Sequence, residues 1–356
     1  MKKIAIITIQ DNNNFGNRLQ NYAMQEILKD FGDVYSLKNN SYTNKKISFF
    51  SMIFRRFYFV IRKVILSISI VKIKRIFNFK KFNKFIKYGE YISFSSAKKF
   101  NDKYDYFVVG SDQIWNLNFF RNCSDILFLK FCNSNKRVAI SPSISCDSLT
   151  ISQYCEFKNY LADFNNLSCR EKQGSIMIES ITGKKCVTLL DPTLMLSKEK
   201  WNLVSKKPKF HDENKRFILL YFLGNLSEEY NRIILSISEK YNLEVINIYD
   251  KKSKYFSIGP SEFIYLISKC ELMLTDSFHG SVFSYIFDKP FKIFKRINGA
   301  SMNSRLLNLI DTLNLNEDIY FNSKIDYDSL FNTNYNKDIL KVEQDKFIDY
   351  VKSVIL

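Results

Sequence analysis

Glu271-Leu272-Met273-Leu274-Thr275-Asp276-Ser277-Phe278-His279-Gly280-Ser281-Val282-Phe283-Ser284-Tyr285-Ile286-Phe287 reads as a buried strand that hands over to a helix across one polar turn. Glu271 to Leu274 is a short apolar run of strand type. From Ser277 onward the apolar residues Val282, Phe283, Tyr285, Ile286 and Phe287 belong to a helix. A strand passing directly into a helix is half of a parallel β-α-β unit. The turn also carries chemistry. An imidazole at a helix start lies beside backbone N–H groups that no intrahelical carbonyl takes up, which makes a natural seat for an anion. Near neutral pH that imidazole could also give or take a proton. The competing reading of His279 is a turn cap, or a ring packed between domains.

The same alternation extends in both directions. Lys3 to Thr8 is a strand and Asn17 to Lys29 a helix; Asp33 to Lys38, Tyr106 to Gly110 and Arg137 to Ser141 are further strands. Ser152 to Asn165 is helical, and strands at Leu167 to Arg170 and Cys186 to Leu190 flank a helix over Gly174 to Thr182. Later come strands at Arg216 to Leu223, Glu244 to Tyr249 and Phe291 to Phe294. Their helices run from Ser227 to Lys240 and from a Ser261 N-cap to about Ser268. Strands alternating with helices predict α/β architecture: two Rossmann-like domains with parallel sheets facing a cleft, of GT-B-like type. The expected division is 1–192, a linker over 193–213, 214–322, and a C-terminal helical extension over 323–356. The linker is read from the stretch Asp191 to His211, which carries two prolines, Pro192 and Pro208, and a charged Lys206-Lys207-Pro208-Lys209 run; His211 is expected there as a solvated loop residue.

Composition narrows the function classes. The chain has 356 residues and a net charge of +17, of which the stretch from Lys45 to Lys87 carries +13, with thirteen Lys and Arg and no Asp or Glu. The remainder is near neutral, so a helical insertion over about 45–90 holds the basicity. From Phe49 to Lys87 it interleaves Phe, Ile and Tyr with Arg and Lys, the pattern of a helix lying on anionic lipid through 45–88. A merely solvated charged face is the other reading. No nucleic-acid module is present. The opening apolar run stops at Gln10, too soon for a secretory leader, and no uncharged run reaches the roughly 20 residues needed to span a bilayer. The seven cysteines include no Cys-x-x-Cys pair, which suits reduced thiols in a cytoplasmic protein. With two histidines, neither at ligand spacing from a cysteine, no metal site is expected.

In open parallel sheets ligands bind beyond the carboxyl ends of the strands. That rule singles out four loops: Asp11 to Arg18, Gly110 to Asn116, Cys169 to Gly174, and Thr275 to Gly280. In the second, Asp112, Gln113 and Trp115 could grip a sugar, the indole stacking on the ring and the polar groups pairing with hydroxyls. A capped helix start with Trp115 in the core reads equally well. In the third, Arg170 could hold a carboxylate or phosphate, or form an ordinary pair with Glu171. No G-x-G-x-x-G, Walker or G-x-S-x-G motif occurs.

Taken in order, Asn14-Phe15-Gly16-Asn17-Arg18-Leu19-Gln20, Val109 to Asn116, Ser168 to Gly174, Leu190-Asp191-Pro192-Thr193, Thr275 to Gly280 and Met302-Asn303-Ser304-Arg305 resemble the polysaccharide pyruvyl transferase family over about residues 1 to 320. The resemblance implies a GT-B-like transferase with no bound cofactor. It would move the pyruvyl group of phosphoenolpyruvate onto two hydroxyls of a sugar or lipid-linked oligosaccharide. It makes His279 the catalytic acid and Arg170 an arginine that holds the donor; the chemistry of the residues adds Asp112 as the expected base for an acceptor hydroxyl. Arg170, Ser277, Gly280, Arg296 and Arg305 become donor-side residues, and Asn14, Gly16, Asn17, Arg18, Gln113 and Trp115 acceptor-side ones. Ser277 departs from the family pattern, which commonly has arginine two places before the histidine. The alternatives are a glycosyltransferase using a nucleotide sugar and a catalytically silent binding subunit.

Overall fold

The computed structural model describes residues 1–10, 13–39, 70–93, 95–120, 124–146, 148–298, 303–321, 326–327 and 329–356. Most of the basic insertion, 40–69, lies outside the described residues. The first sheet is parallel throughout, in the order β3 (Tyr88–Tyr91), β2 (Asp33–Lys38), β1 (Lys3–Ile7), β4 (Tyr106–Val109), β5 (Arg137–Ala139). A parallel pair, β6 (Leu167–Cys169) and β7 (Cys186–Thr188), continues it, bridged by the amide of Ala139 on the carbonyl of Asn166. The second sheet has the order β11 (Phe291–Ile293), β10 (Leu272–Thr275), β8 (Phe217–Tyr221), β9 (Glu244–Asn247), again all parallel. Two parallel sheets with helices between their strands are the expected architecture.

Alternation along each strand divides the cores. On β1, Ile4 and Ile6 face a central core shared with Phe217, Leu219 and Tyr221 of β8, whereas Ala5 and Ile7 face a second core under the first sheet. Ile218, Leu220 and Phe222 face a third, beneath helix α8 (Glu228–Tyr241). The sheets and their helices thus form two lobes joined through one continuous apolar core.

Earlier in the chain, α1 (Phe15–Leu28), capped by Asn14, fills the seam between the lobes. It is buried on its polar face as well. Gln20 donates to Thr8 Oγ1 and accepts from the amide of Ser111, Asn21 accepts from Ser36, and Gln25 exchanges two hydrogen bonds with the backbone of Lys87. Burying Gln20 and Gln25 this way is tolerable because both ends of each amide find a partner. Helix α2 (Ile70–Phe82) crosses between lobes: the Arg75 guanidinium lies 4.6–5.2 Å from the ring centroids of Phe15, Phe79, Tyr249 and Phe256 and donates to the carbonyls of Asn13 and Phe256. Two short helices, α3 (Leu117–Phe120) and α4 (Ser124–Leu127), follow β4, and α5 (Ile151–Leu161) and α6 (Lys172–Thr182) flank β6.

The stretch expected as a linker carries α7 (Lys198–Val204), which sinks Trp201 into the central core. His211 departs from expectation. It is buried, its Nδ1 sharing a hydrogen bond with the Tyr255 hydroxyl and its ring edge-on to Phe217 and Tyr265, because the chain turns back onto the second sheet there. Helix α9 (Pro260–Lys269) is capped at Gly259, with Ser261 inside the first turn; the Glu262 carboxylate accepts from the Gly259 amide. After α10 (Phe278–Ile286) and α11 (Asn303–Thr312), the closing helix α12 (Asp338–Ile355) returns to the first lobe, where Tyr350 donates to the Ala139 carbonyl. No helix among the described residues is long and apolar enough to cross a membrane.

Candidate active site

Four strand ends and two helices, α1 and α11, converge where the lobes meet. After β4 the chain turns at Gly110, whose φ is +134°; a Cβ there would stand 1.9 Å from the Ile140 carbonyl oxygen, so only glycine fits. The turn points Asp112 at the first turn of α1, where Asn17 donates to its Oδ2. Its Oδ1 lies 3.6 Å from Arg305 on α11 and 3.8 Å from Arg170 after β6.

Arg170 is held more tightly elsewhere. Its Nη1 is 2.8 Å from Asp191 Oδ2, its Nε is 3.2 Å from Glu171 Oε1, and its guanidinium lies 4.3 Å from the centroid of Phe278. Asp191, at the end of the β7 segment, is the hub. Its Oδ1 accepts from the amide and hydroxyl of Thr193, and its Oδ2 from Ser111 and Arg170. His279, in the first turn of α10, brings Nε2 to 3.7 Å from the same Oδ2. Its ring rests on Gly16: a Cβ at that position would come within 2.1 Å of Nδ1.

Burial sets the electrostatics. His279 is 6% exposed and Arg170 3%. Burial pushes the His279 imidazole below its ordinary pKa, against the upward pull of Asp191 and Asp112. For Asp191 burial works the other way and is outweighed by His279 and Arg170, so the carboxyl sits below the usual carboxylate range. Burial opposes the charge on Arg170, but Glu171, Asp191 and Asp112 together hold its proton more firmly than usual. Arg305, buried beside Arg170, shifts down.

His279 Nε2, Arg170 Nη2 and Asn17 Oδ1 are buried here without a hydrogen-bond partner. An unpaired buried polar atom costs about 1–3 kcal/mol, so together these mark a place where polar groups of a ligand or water belong. Arg170, Glu171, Asp191, Phe278 and Arg305 border a cavity of about 20 Å³, room for roughly one water molecule. Among the described residues no group of His, Cys, Asp and Glu is arranged to hold a metal ion.

The remaining predicted residues are distributed as follows. Gly280 lies in the first turn of α10, and Ser277 precedes that turn, its amide donating to the Thr275 hydroxyl. Arg296 clamps Asp276 through its carboxylate and carbonyl, and the Asp276 carboxylate also gathers the amides of Leu223 and Gly224. Asn14 caps α1, Arg18 donates to the Tyr88 hydroxyl, and Gln113 is half-buried. Trp115 is a correction. It is fully buried, stacked on Phe128 at 5.3 Å with Nε1 donating to the Leu127 carbonyl, because the loop after Asp112 folds back under the first sheet; it offers no face to a sugar.

Sequence reasoning missed Asp191 and Phe278. Asp191 carried a usable signal: it ends an apolar strand, as Asp112 and Arg170 do, but its neighbour Pro192 drew it into the linker.

A model of the polysaccharide pyruvyl transferase family matches residues 14–294. Among solved structures, UDP-GlcNAc 2-epimerase from Neisseria meningitidis, bound to UDP-GlcNAc, superimposes with a TM-score of 0.53 at 12% identity over 99% of this chain and 100% of its own. A second, described as a putative UDP-N-acetylglucosamine 2-epimerase from Listeria monocytogenes, gives 0.53 at 11% identity over 99% and 96%. At such identities the likeness speaks for the two-sheet fold alone. No protein of curated function matches the chain.

Proposed function

Because the chain belongs to the polysaccharide pyruvyl transferase family, we propose that it transfers the pyruvyl group of phosphoenolpyruvate to two hydroxyls of a sugar in a surface-polysaccharide precursor, with His279 as general acid. The observation that carries this reading is the pair of buried, unpartnered nitrogens, His279 Nε2 and Arg170 Nη2, on two groups that both contact Asp191.

The chemistry follows from the donor. C2 of an enol phosphate accepts a nucleophile only once C3 has taken a proton. The His279 imidazolium gives that proton to C3, which becomes a methyl group, and positive charge builds at C2. A sugar hydroxyl oxygen bonds to C2, passing its proton to Asp112. The C2–O bond to phosphate then breaks, and a second hydroxyl closes the cyclic ketal, its proton leaving with phosphate. A proton equal to the one on Asp112 restores the imidazolium, so the cycle balances. General acid catalysis of this kind contributes about 10²–10⁴-fold.

Asp112 has a double part in this scheme. Its Oδ1 is held by Arg305 and Arg170 only at 3.6 and 3.8 Å, beyond hydrogen-bond length, whereas the Arg170–Asp191 pair is at 2.8 Å. Oδ1 of Asp112 is a loosely held stand-in for a donor carboxylate oxygen, while Asn17 keeps hold of Oδ2. An arriving donor displaces Oδ1, takes the two guanidiniums bidentately, and leaves Asp112 free to act as base. Asp191 keeps Arg170 and His279 in place during the exchange, and the donor's negative charge offsets the burial that disfavours the imidazolium. A cavity of about 20 Å³ cannot hold a three-carbon phosphate, so entry requires the lobes or these side chains to move apart.

The test couples binding with turnover. Phosphoenolpyruvate, and not UDP, should raise the melting temperature; phosphate release should require a sugar acceptor; and His279→Ala should lower the rate by about 10²–10⁴-fold with the fold intact. Protection by UDP alone would favour nucleotide-sugar chemistry. Full turnover without His279 would remove the acid from the scheme, and no turnover with any donor would leave a binding subunit.

A further inference from the structure

Helix α2 has two unlike faces. Its inner face is anchored on both lobes: Arg75, Phe79 and Phe82 are buried, and Asn78 donates to the carbonyl of Ser257. Its outer face is apolar over the first two turns, where Ile70 is 70% exposed, Ile73 50%, Ile76 43% and Phe77 62%. Over the following turns that face becomes basic, with Lys80, Lys81 and Lys84 exposed, and Lys72 and Lys74 flank the apolar stripe. The three-to-four-residue spacing of Ile70, Ile73 and Phe77 puts them on one line of the helix. Within Lys45 to Lys87 no acidic residue offsets the charge.

We propose that the outer face of α2 docks the protein on an anionic lipid surface, with Ile70, Ile73 and Phe77 entering the headgroup–acyl boundary and the lysines pairing with lipid phosphates. Charge complementarity selects an anionic partner, and the apolar stripe selects a membrane over an acidic protein surface. Isoleucine and phenylalanine gain by leaving water for acyl chains, while the lysine stems lie along the boundary and keep their ammonium groups among phosphates. The helix has 13 residues, so it lies on the bilayer and does not cross it. Because its inner face spans both lobes, docking would fix the orientation of the whole molecule.

The experiment is flotation of the full chain with vesicles of phosphatidylglycerol and phosphatidylcholine, compared with phosphatidylcholine alone. The protein should float only with the anionic vesicles. Ile73→Asp with Phe77→Asp, and separately Lys80→Glu with Lys81→Glu and Lys84→Glu, should each lower partitioning by about tenfold or more without moving the melting temperature, since every one of these side chains is exposed. Phe77→Trp adds a reporter: Trp115 and Trp201 are both fully buried, so a blue shift of the exposed indole on anionic vesicles reports insertion. No flotation, or flotation unchanged in the Asp variant, overturns the proposal. Equal binding of wild type and Asp variant to soluble polyglutamate, without a blue shift on vesicles, would point to an acidic protein partner and overturn it as well.

Discussion

The seam between the lobes has two halves, and they are built on opposite principles. Around Phe15 it is dry and fully matched: the ring stacks on Phe263 at 4.5 Å, stands edge-on to Tyr221, and lies under the Arg75 guanidinium. One residue further along, at Gly16, the seam becomes polar and unmatched, with three carboxylates, two guanidiniums, an imidazole and the Asn17 amide, among which His279 Nε2, Arg170 Nη2 and Asn17 Oδ1 are unpartnered. The apolar half fixes how the lobes meet. The polar half is costly to bury, and its ion pairs do little more than offset that cost, which is the usual condition of a site that awaits a ligand. Variants on the two sides should therefore fail in different ways.

Arg170→Ala should have the largest effect, because it strikes the polar half twice. It leaves Asp191 and Glu171 buried without their cation, at a cost of about 3–5 kcal/mol, and removes the donor's principal anchor. Chemical denaturation and phosphoenolpyruvate protection should both collapse; loss of only one would mean that Arg170 serves stability or binding, not both. Phe15→Ala should cost about 3–5 kcal/mol of stability. If the protein is held folded at low temperature, however, its rate per folded molecule should stay within a few-fold of wild type. A large rate loss in that folded fraction would erase the distinction between the halves.

Gly16→Ala probes the boundary itself. The new methyl would collide with His279 Nδ1, so the ring must shift. Turnover should fall by about tenfold or more, since misplacing a reacting group by 1 Å costs up to about 10²-fold. The melting temperature should drop only by the few degrees expected of overpacking.

The smallest effect is on pH. Burial holds the folded pKa of His279 below its ordinary value, which is about 6.5. The unfolded chain therefore takes up a proton first as pH falls. The stabilisation from the neutral ring is complete above about 6.5 and is lost as pH drops towards the depressed pKa. Each tenfold difference in proton affinity between the folded and unfolded ring accounts for about 1.4 kcal/mol of that loss. His211, also depressed by burial, adds to the same window. Melting temperatures between pH 7 and 5 should fall less steeply in His279→Gln than in wild type; identical slopes would mean that the ring is not held as described.

The site was partly legible beforehand. The strand-end rule located Asp112, Arg170 and His279, and those groups do meet. It also pointed to Trp115, which the loop after Asp112 carries into the core, because an indole next to a strand end fits a sugar or a phenylalanine equally well until its neighbours are known. His211 was misread for the same reason: a polar, charged sequence around it concealed the aromatic pocket assembled from Phe217, Tyr255 and Tyr265.

The order of residues alone determined the parallel α/β architecture, the two sheets and the turns that hold reactive groups. Hydrophobic periodicity and turn chemistry are local properties, written within a dozen residues of one another. Only the tertiary structure decided that Asp191 joins Arg170 to His279, that Gly16 must be bare because an imidazole from the other lobe rests on it, and that the polar face of α1 is buried rather than wet. Those outcomes depend on partners up to roughly 260 residues apart, and burial, which no local pattern encodes, sets both their cost and their chemistry.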